Sequence, residues 1–512
     1  MDPDSDDARE RSAPAPVSGH AAGVAPRDVS GITLRDLPAG LAPGRLPVAA
    51  PTPASDEVDW LDTFIDELID EDDGPATSLK ARAGPATKST EFVDLSIGRG
   101  ADQVLGQVLL GYSPVIDPVK GVIATRLTVV PVRASAAIDA GALLEAIAQV
   151  WPAEGAPVML NVASASLLAD VLRARPSLNV LIEVPAFVAI DATNTRALVQ
   201  LATRGSALLL KGRPLRELPR EVLPCFKWSI IDRSEDRRDG RVEPPHGMTR
   251  TIPFVQSGVR TMAEMRDSFA RGAVAVLGWP LHEPIAQAFE ARPDTRVVLD
   301  ALQRLDQGDS LESVDHVLMR DPVLALELLQ LVNSEAADLS IEARSMRHAV
   351  SMLGHAHLRR WLGQLLGRSR DDIALRPANF AALRRGLLMR MLAAGTGQRE
   401  RRGELFMCGV FSLLDRIYAR PVGELVRRLG LPERVHAALV DRSGPHLSLL
   451  ELARAVESEV PHDIRAASEA VFVQPIEINR ALLRSLLAAS HLERPAVALP
   501  AAAPPAAARA TR

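Results

Sequence analysis

From Thr90 to Pro284 the chain alternates between two hydrophobic periods, and this alternation restricts its fold more than any other feature. Short β-branched or Leu-rich runs at Val104–Leu110, Gly121–Val132, Val158–Val162, Val180–Val184, Ala207–Leu210, Ser229–Ile231, Thr251–Val255 and Ala273–Val276 read as strands. Between them, Ala140–Val150, Ser164–Arg173, Thr193–Thr203 and Met262–Ala270 carry apolar residues at helical spacing. Strands that are apolar throughout need cover on both faces, and intervening helices supply it while connecting parallel neighbours. The number of units fits a barrel of the (β/α)8 type, whose chemistry is expected at the C-terminal ends of the strands.

A second regime follows Glu283-Pro284. Within Asp321–Leu366, Val323, Leu326, Leu329 and Val332 share one helical face, and Ala349, Met352 and Leu353 begin another. Pro322 suits a first helical turn, where its missing N–H costs nothing, and Asp321 can cap that turn. The period stops at Asn333-Ser334, so two amphipathic helices are expected to meet through a short linker. Further helices are expected at Glu404–Leu414, after Leu429-Gly430-Leu431-Pro432, and at Leu447–Val456 beyond the Gly444-Pro445 break. The basic runs Arg384-Arg385, Arg390 and Arg399–Arg402 read as solvated faces, because aromatic residues that could stack on bases are scarce there.

With 512 residues and 47 % apolar content the chain can hold two or three domains with sizeable cores. Cys225 and Cys408 are too few for a disulfide framework or a zinc site, which fits a reducing cytoplasm. No uncharged apolar run approaches the roughly 18 residues a membrane span needs, and the acidic start lacks the apolar centre of a secretory signal. The net charge of −5 is uneven: residues 1–90 hold 17 acids against 8 bases, leaving the rest near +4. Neither part has the strongly basic balance of a nucleic-acid binder.

Residues 1–54 are rich in Pro, Ala, Gly and Asp and cannot bury enough surface to offset chain entropy, so disorder is expected. Ser55–Asp73 differs. Trp60, Leu61, Phe64, Ile65, Leu68 and Ile69 fall on one helical face among acids, and Gly74-Pro75 ends the pattern. Such a helix either docks on its own protein or recognises a partner with a basic rim. The Ala/Pro-rich stretch 489–512 is expected to be disordered.

Tyr112-Ser113-Pro114-Val115-Ile116-Asp117, followed by Gly121-Val122, resembles the opening of the EAL domain, a barrel that hydrolyses cyclic di-GMP with two metals held by carboxylates. Leu160-Asn161-Val162, Leu181-Ile182-Glu183-Val184 and Asp232 also match that family. Elsewhere the functional positions depart from it. Where the E-A-L motif should stand the chain has Arg126-Leu127-Thr128-Val129-Val130, and Lys211-Gly212 replaces an acidic pair. The family's catalytic Lys position is Ile230, its G-V-E-T Glu is Arg260, and its later Gln is Leu277. The resemblance therefore implies a degenerate barrel. Arg126, Lys211 and Arg260 reverse the charge that two divalent cations require, although they could face a nucleotide phosphate.

The helical region resembles the HDOD domain, an all-helical module of bacterial signalling proteins. Leu331-Val332-Asn333-Ser334, Arg347-His348-Ala349-Val350, Leu353-Gly354 and Leu358-Arg359-Arg360-Trp361 carry the likeness. In the related HD phosphohydrolases two adjacent metal ligands, His and Asp, stand where this chain, aligned on Gly409, has Ser412 and Leu413. Neither side chain can replace them. The order of segments from Gly106 to Ala488 resembles combined EAL–HDOD proteins. His348, His355 and His357 lack nearby carboxylates and read as surface or capping residues, while His462-Asp463 stands at a helix start, where Asp favours the dipole.

The resulting expectation is a multidomain α/β plus all-α chain: an acidic tail (1–90), a degenerate TIM-like EAL barrel (91–288), an HDOD-like helical domain (289–488) and a C-terminal tail. Its expected role is that of a non-catalytic regulatory scaffold, without metal or cofactor, that binds other signalling proteins; exposed helical faces also allow a homodimer. Trp60, Leu61, Phe64, Ile65 and Leu68 are the candidate partner contact. The alternative is an effector that binds cyclic di-GMP through Arg126, Lys211 and Arg260, and an active phosphodiesterase is the third reading.

Overall fold

The computed structural model describes residues 99–492 apart from 154, 237–251, 286–290, 336–344, 394–398, 428 and 430. The tails and the segment Ser55–Asp73 lie outside the described residues.

Eight strands close into a barrel in chain order: β1 Val108–Ile116, β2 Val122–Pro131, β3 Val158–Val162, β4 Val180–Pro185, β5 Leu208–Lys211, β6 Phe226–Asp232, β7 Phe254–Ser257 and β8 Ala275–Leu277. The parallel sheet expected from the sequence has one exception. β1 runs antiparallel to both β2 and β8, and from β2 to β8 each neighbouring pair is parallel. The expected strand Val104–Leu110 is also corrected: a helix fills Arg99–Leu105 and β1 starts at Val108. Short apolar runs do not distinguish the two periods, and Val104 and Leu105 bury equally well on a helical face.

The covering helices start where local chemistry directs. Asp139 accepts from Gly141 N and Ala142 N to open Ala140–Val150, and Thr261 forms a reciprocal capping box with Glu264 to open Met262–Ala270.

Beyond the barrel, helices follow at Thr295–Gln307, Leu311–Leu318, Pro322–Glu335, Met346–Leu366, Arg376–Leu392, Arg399–Phe411, Pro445–Ser458, Pro461–Val471 and Pro475–Leu492, with shorter ones between. The last continues past 488, to Leu492. Within Met346–Leu366 the backbone at Gly354 is non-helical, φ 66° and ψ 168°, so one helix ends there and a second begins across a kink. The helix expected to reach Leu414 stops at Phe411, leaving Ser412 and Leu413 in the turn beyond. The basic runs are corrected as well: Arg384, Arg385 and Arg402 are buried.

Two helices cross by backbone contact. A Cβ on Gly409 would meet Gly386 Cα at 2.6 Å, so the helices Arg376–Leu392 and Arg399–Phe411 approach as only two glycines allow.

The barrel and the helices belong to one compact unit, and a single apolar core runs from Val108 and Leu110 of β1 into Val456, Ile478 and Leu482 of the helices. Asn479 binds them further. Its amide donates to Leu105 O and Val108 O at 2.7 and 2.8 Å and accepts from Leu110 N at 3.1 Å.

Asp321 caps Pro322–Glu335 as expected, accepting from Val323 N at 2.9 Å, and its other oxygen accepts from Asp294 N at 2.6 Å. Burial outweighs these hydrogen bonds and pushes its carboxyl up to about 6. An unfolded Asp titrates near 3.9, so the folded state holds this proton more tightly. The resulting stabilisation is fully present below about pH 4 and is lost as pH rises through about 6. Relative to Asp321→Asn, urea unfolding of the parent should therefore lose roughly 2 kcal/mol between pH 4 and pH 7. Equal pH slopes for the two proteins would contradict it.

Candidate functional site

Side chains alternate across a strand, so two residues along from an inward position lies the next inward layer. The barrel interior is filled by Val115, Ala124, Met159, Leu181, Leu209, Ile230, Val255, Ala275 and Leu277, with every strand contributing. One step toward the C-terminal ends stand Ser113, Arg126, Asn161, Glu183, Lys211, Asp232 and Ser257. An apolar plug thus carries a polar layer at the barrel mouth. Two positions where the chain departs from the EAL pattern are apolar here: Ile230 belongs to the plug, and Leu277, paired with Ser257, extends the apolar packing to the level of the layer on β8.

Glu183 is buried and Arg126 forks onto it, with Nε–Oε1 at 2.7 Å and Nη2–Oε2 at 2.8 Å. Such bidentate pairing fixes both groups in orientation. Lys211 Nζ donates to Asn161 Oδ1 at 2.7 Å and lies 3.8 Å from Glu183 Oε2, and Asn161 donates to Thr128 Oγ1 at 3.0 Å. Burial opposes the charge on Arg126, yet Glu183 and Glu459 outweigh it and hold the guanidinium above its ordinary pKa. For Lys211 burial wins over the attraction of Glu183, and its pKa is lowered.

The fourth charge in this cluster comes from the helices. Glu459 follows the helix Pro445–Ser458 in a left-handed conformation, φ 58°. Its carboxylate accepts from Thr128 Oγ1 at 2.5 Å and Ser113 Oγ at 2.8 Å, and lies 3.4 Å from Arg126 Nη1. A carboxylate at a helix C-terminus is disfavoured by the dipole, so these barrel groups hold it there. The close approach requires Gly111 in β1, where a Cβ would lie 2.8 Å from Glu459 Cα.

The same helix end is gripped from its other side. Arg385 forks onto Glu457 at 2.9 and 2.6 Å and donates to Ser412 Oγ at 2.7 Å. Trp279 Nε1 donates to Glu457 O at 2.9 Å, and its ring meets Tyr112 edge-on at 5.5 Å. Burial, then the nearby Glu457, pushes the Tyr112 hydroxyl well above its usual pKa. Ser412 therefore sits against a cation.

Of the residues the sequence singled out, the structure brings Arg126 and Lys211 together around Glu183. Asp232 stands in the same layer and accepts from Ser234 and Ser257. Arg260 is separate, on the exposed loop after β7. Sequence reading missed Glu459 and Thr128; the one local signal was a glycine inside β1. A cleft of about 2140 Å³ opens above the layer, between the strand ends and the helices. Among the described residues no group of three His, Cys, Asp or Glu side chains is placed to hold a metal ion, and no helix is long and apolar enough to cross a membrane.

The chain is 25 % identical over 217 residues to the uncharacterized protein YuxH of Bacillus subtilis, covering 41 % of this chain and 52 % of that protein. It is 28 % identical over 206 residues to the cyclic di-GMP phosphodiesterase CdgJ of Vibrio cholerae, covering 40 % of this chain and 48 % of the relative. It thus spans about half the length of the curated relatives it matches. Among solved structures, the MmoQ response regulator of Methylococcus capsulatus aligns over 38 % of this chain and 99 % of its own, at 16 % identity and a TM-score of 0.32. In the helical region, residues 293–456 match the model of the HDOD domain.

Proposed function

We propose that this chain is a non-catalytic regulatory scaffold of bacterial signalling, acting by contact with other proteins through an EAL-like barrel that has lost its metal ligands and an HDOD helical domain. The observation that carries this reading is the Arg126–Glu183 pair at the barrel mouth. A two-metal site needs several free anionic ligands to balance its cations. Here the buried carboxylate is taken by a guanidinium, and Glu459 adds its charge to the same pair instead of standing free. In the helical half the Arg385 guanidinium beside Ser412 likewise repels a cation.

The relative CdgJ is named for acting on cyclic di-GMP, which makes that nucleotide the substrate to test. Full-length protein incubated with cyclic di-GMP and Mg²⁺ or Mn²⁺ should release no linear dinucleotide above a protein-free control by ion-exchange chromatography. Metal-dependent turnover would remove the scaffold reading.

A further inference from the structure

The cleft above the barrel mouth is unusual in what it leaves in water. Phe187 beyond β4, Leu215 beyond β5 and Val460 beyond Glu459 line it and are 69 %, 95 % and 43 % exposed. Around them stand basic groups with little to neutralise them. Arg213 and Arg260 make no side-chain ion pair among the described residues, and Arg442 has only an exposed contact with Glu451 at 3.4 Å. Eight Lys and Arg side chains line the cleft against six Asp and Glu. Two of those acids, Glu457 and Glu459, are already committed to Arg385 and Arg126. The accessible surplus is positive and interleaved with apolar side chains.

One stretch of this chain has the complementary chemistry. Residues 57–73 hold nine acids and no Lys or Arg, with Trp60, Leu61, Phe64, Ile65, Leu68 and Ile69 at helical spacing. We propose that this acidic segment docks in the cleft of its own chain, its apolar stripe against Phe187, Leu215 and Val460 and its acids toward Arg213, Arg260 and Arg442.

The chain path allows it. β1 runs opposite to its neighbours, so Val108 pairs with Pro131, at the C-terminal end of β2. The polypeptide therefore enters the barrel from the mouth side. Residues 74–98 supply 25 positions of chain between the segment and the first helix, and a chain of that length reaches at most roughly 80–90 Å. Tethering raises the effective concentration to the order of millimolar, so docking needs only a modest intrinsic affinity. The proposal rests on the chemistry of the cleft and segment, and stands apart from whether the barrel turns over a nucleotide.

Hydrogen–deuterium exchange of the full-length chain, read by mass spectrometry, tests it. Amides from Trp60 to Ile69 should exchange at least about tenfold more slowly than an unfolded chain, at a rate independent of protein concentration. In the charge-reversal variant Arg213→Glu/Arg260→Glu/Arg442→Glu that protection should disappear. Should the variant misfold, Trp60→Ser/Phe64→Ser provides the same loss without altering the cleft, and peptides around Leu215 should then exchange faster. Unprotected exchange in the parent would overturn the proposal, as would protection that survives both sets of substitutions. Protection that grows with concentration would assign the cleft to a second copy's segment and overturn docking within one chain.

Discussion

Glu183→Ala is expected to destabilise the folded chain by roughly 3–5 kcal/mol, because it strands the Arg126 guanidinium inside the barrel mouth. The Arg126 side chain is only 13 % exposed, and its remaining carboxylate partner would be Glu459 at 3.4 Å. Lys211 loses an attraction at the same time and gains nothing in exchange. The double variant Arg126→Met/Glu183→Leu should behave very differently, near neutral or more stable than the parent, since it removes both desolvated charges together. Urea unfolding followed by circular dichroism measures both. A cost below about 1 kcal/mol, as exposed pairs give, would mean that water from the cleft screens Arg126 and would contradict the prediction.

Glu457→Ala should produce a loss of similar size, roughly 3–5 kcal/mol, from a different site. Both members of the Arg385–Glu457 pair are buried, and the guanidinium would be left with Ser412 as its remaining polar contact among those described above. Arg454 aggravates the loss: burial already lowers its pKa, and so does Arg385. With Glu457 gone the two guanidinium groups would face each other with less compensation. A double-mutant cycle with Arg385→Met separates the pair's own contribution from the cost of an orphaned charge. Additive losses across that cycle would mean the two residues do not act as a pair.

Much of the barrel is legible in the sequence because several local signals agree. Ala140–Val150 and Met262–Ala270 match the structure end to end, since apolar spacing, a capping side chain and flanking turns coincide. β3 is equally clear, being a short apolar run between turns. Strand direction is not encoded in periodicity, so the alternation of strands and helices alone does not reveal the reversed β1. The buried arginines were misread for a related reason: Arg385 lies beside another arginine in the chain, and its carboxylate partner is 72 residues away. In the candidate site, Arg126, Asn161, Glu183, Lys211 and Asp232 are marked by comparison with the EAL pattern; Lys211 and Asp232 end their strands, while Arg126 lies mid-strand in β2. Glu459 follows from nothing nearby, because what holds it is tertiary. The amphipathic segment at Trp60–Ile69, the clearest partner signal in the sequence, lies outside the described residues.

Glu459 reaches Arg126 across 333 positions of chain, and this has a practical consequence for anyone who cuts the protein in two. A barrel produced without the helices would present two bare hydroxyls and a guanidinium around a vacancy shaped for a carboxylate. It would attract acetate, phosphate or nucleotides from its buffer, and that affinity would be a property of the scissors rather than of the molecule in the cell.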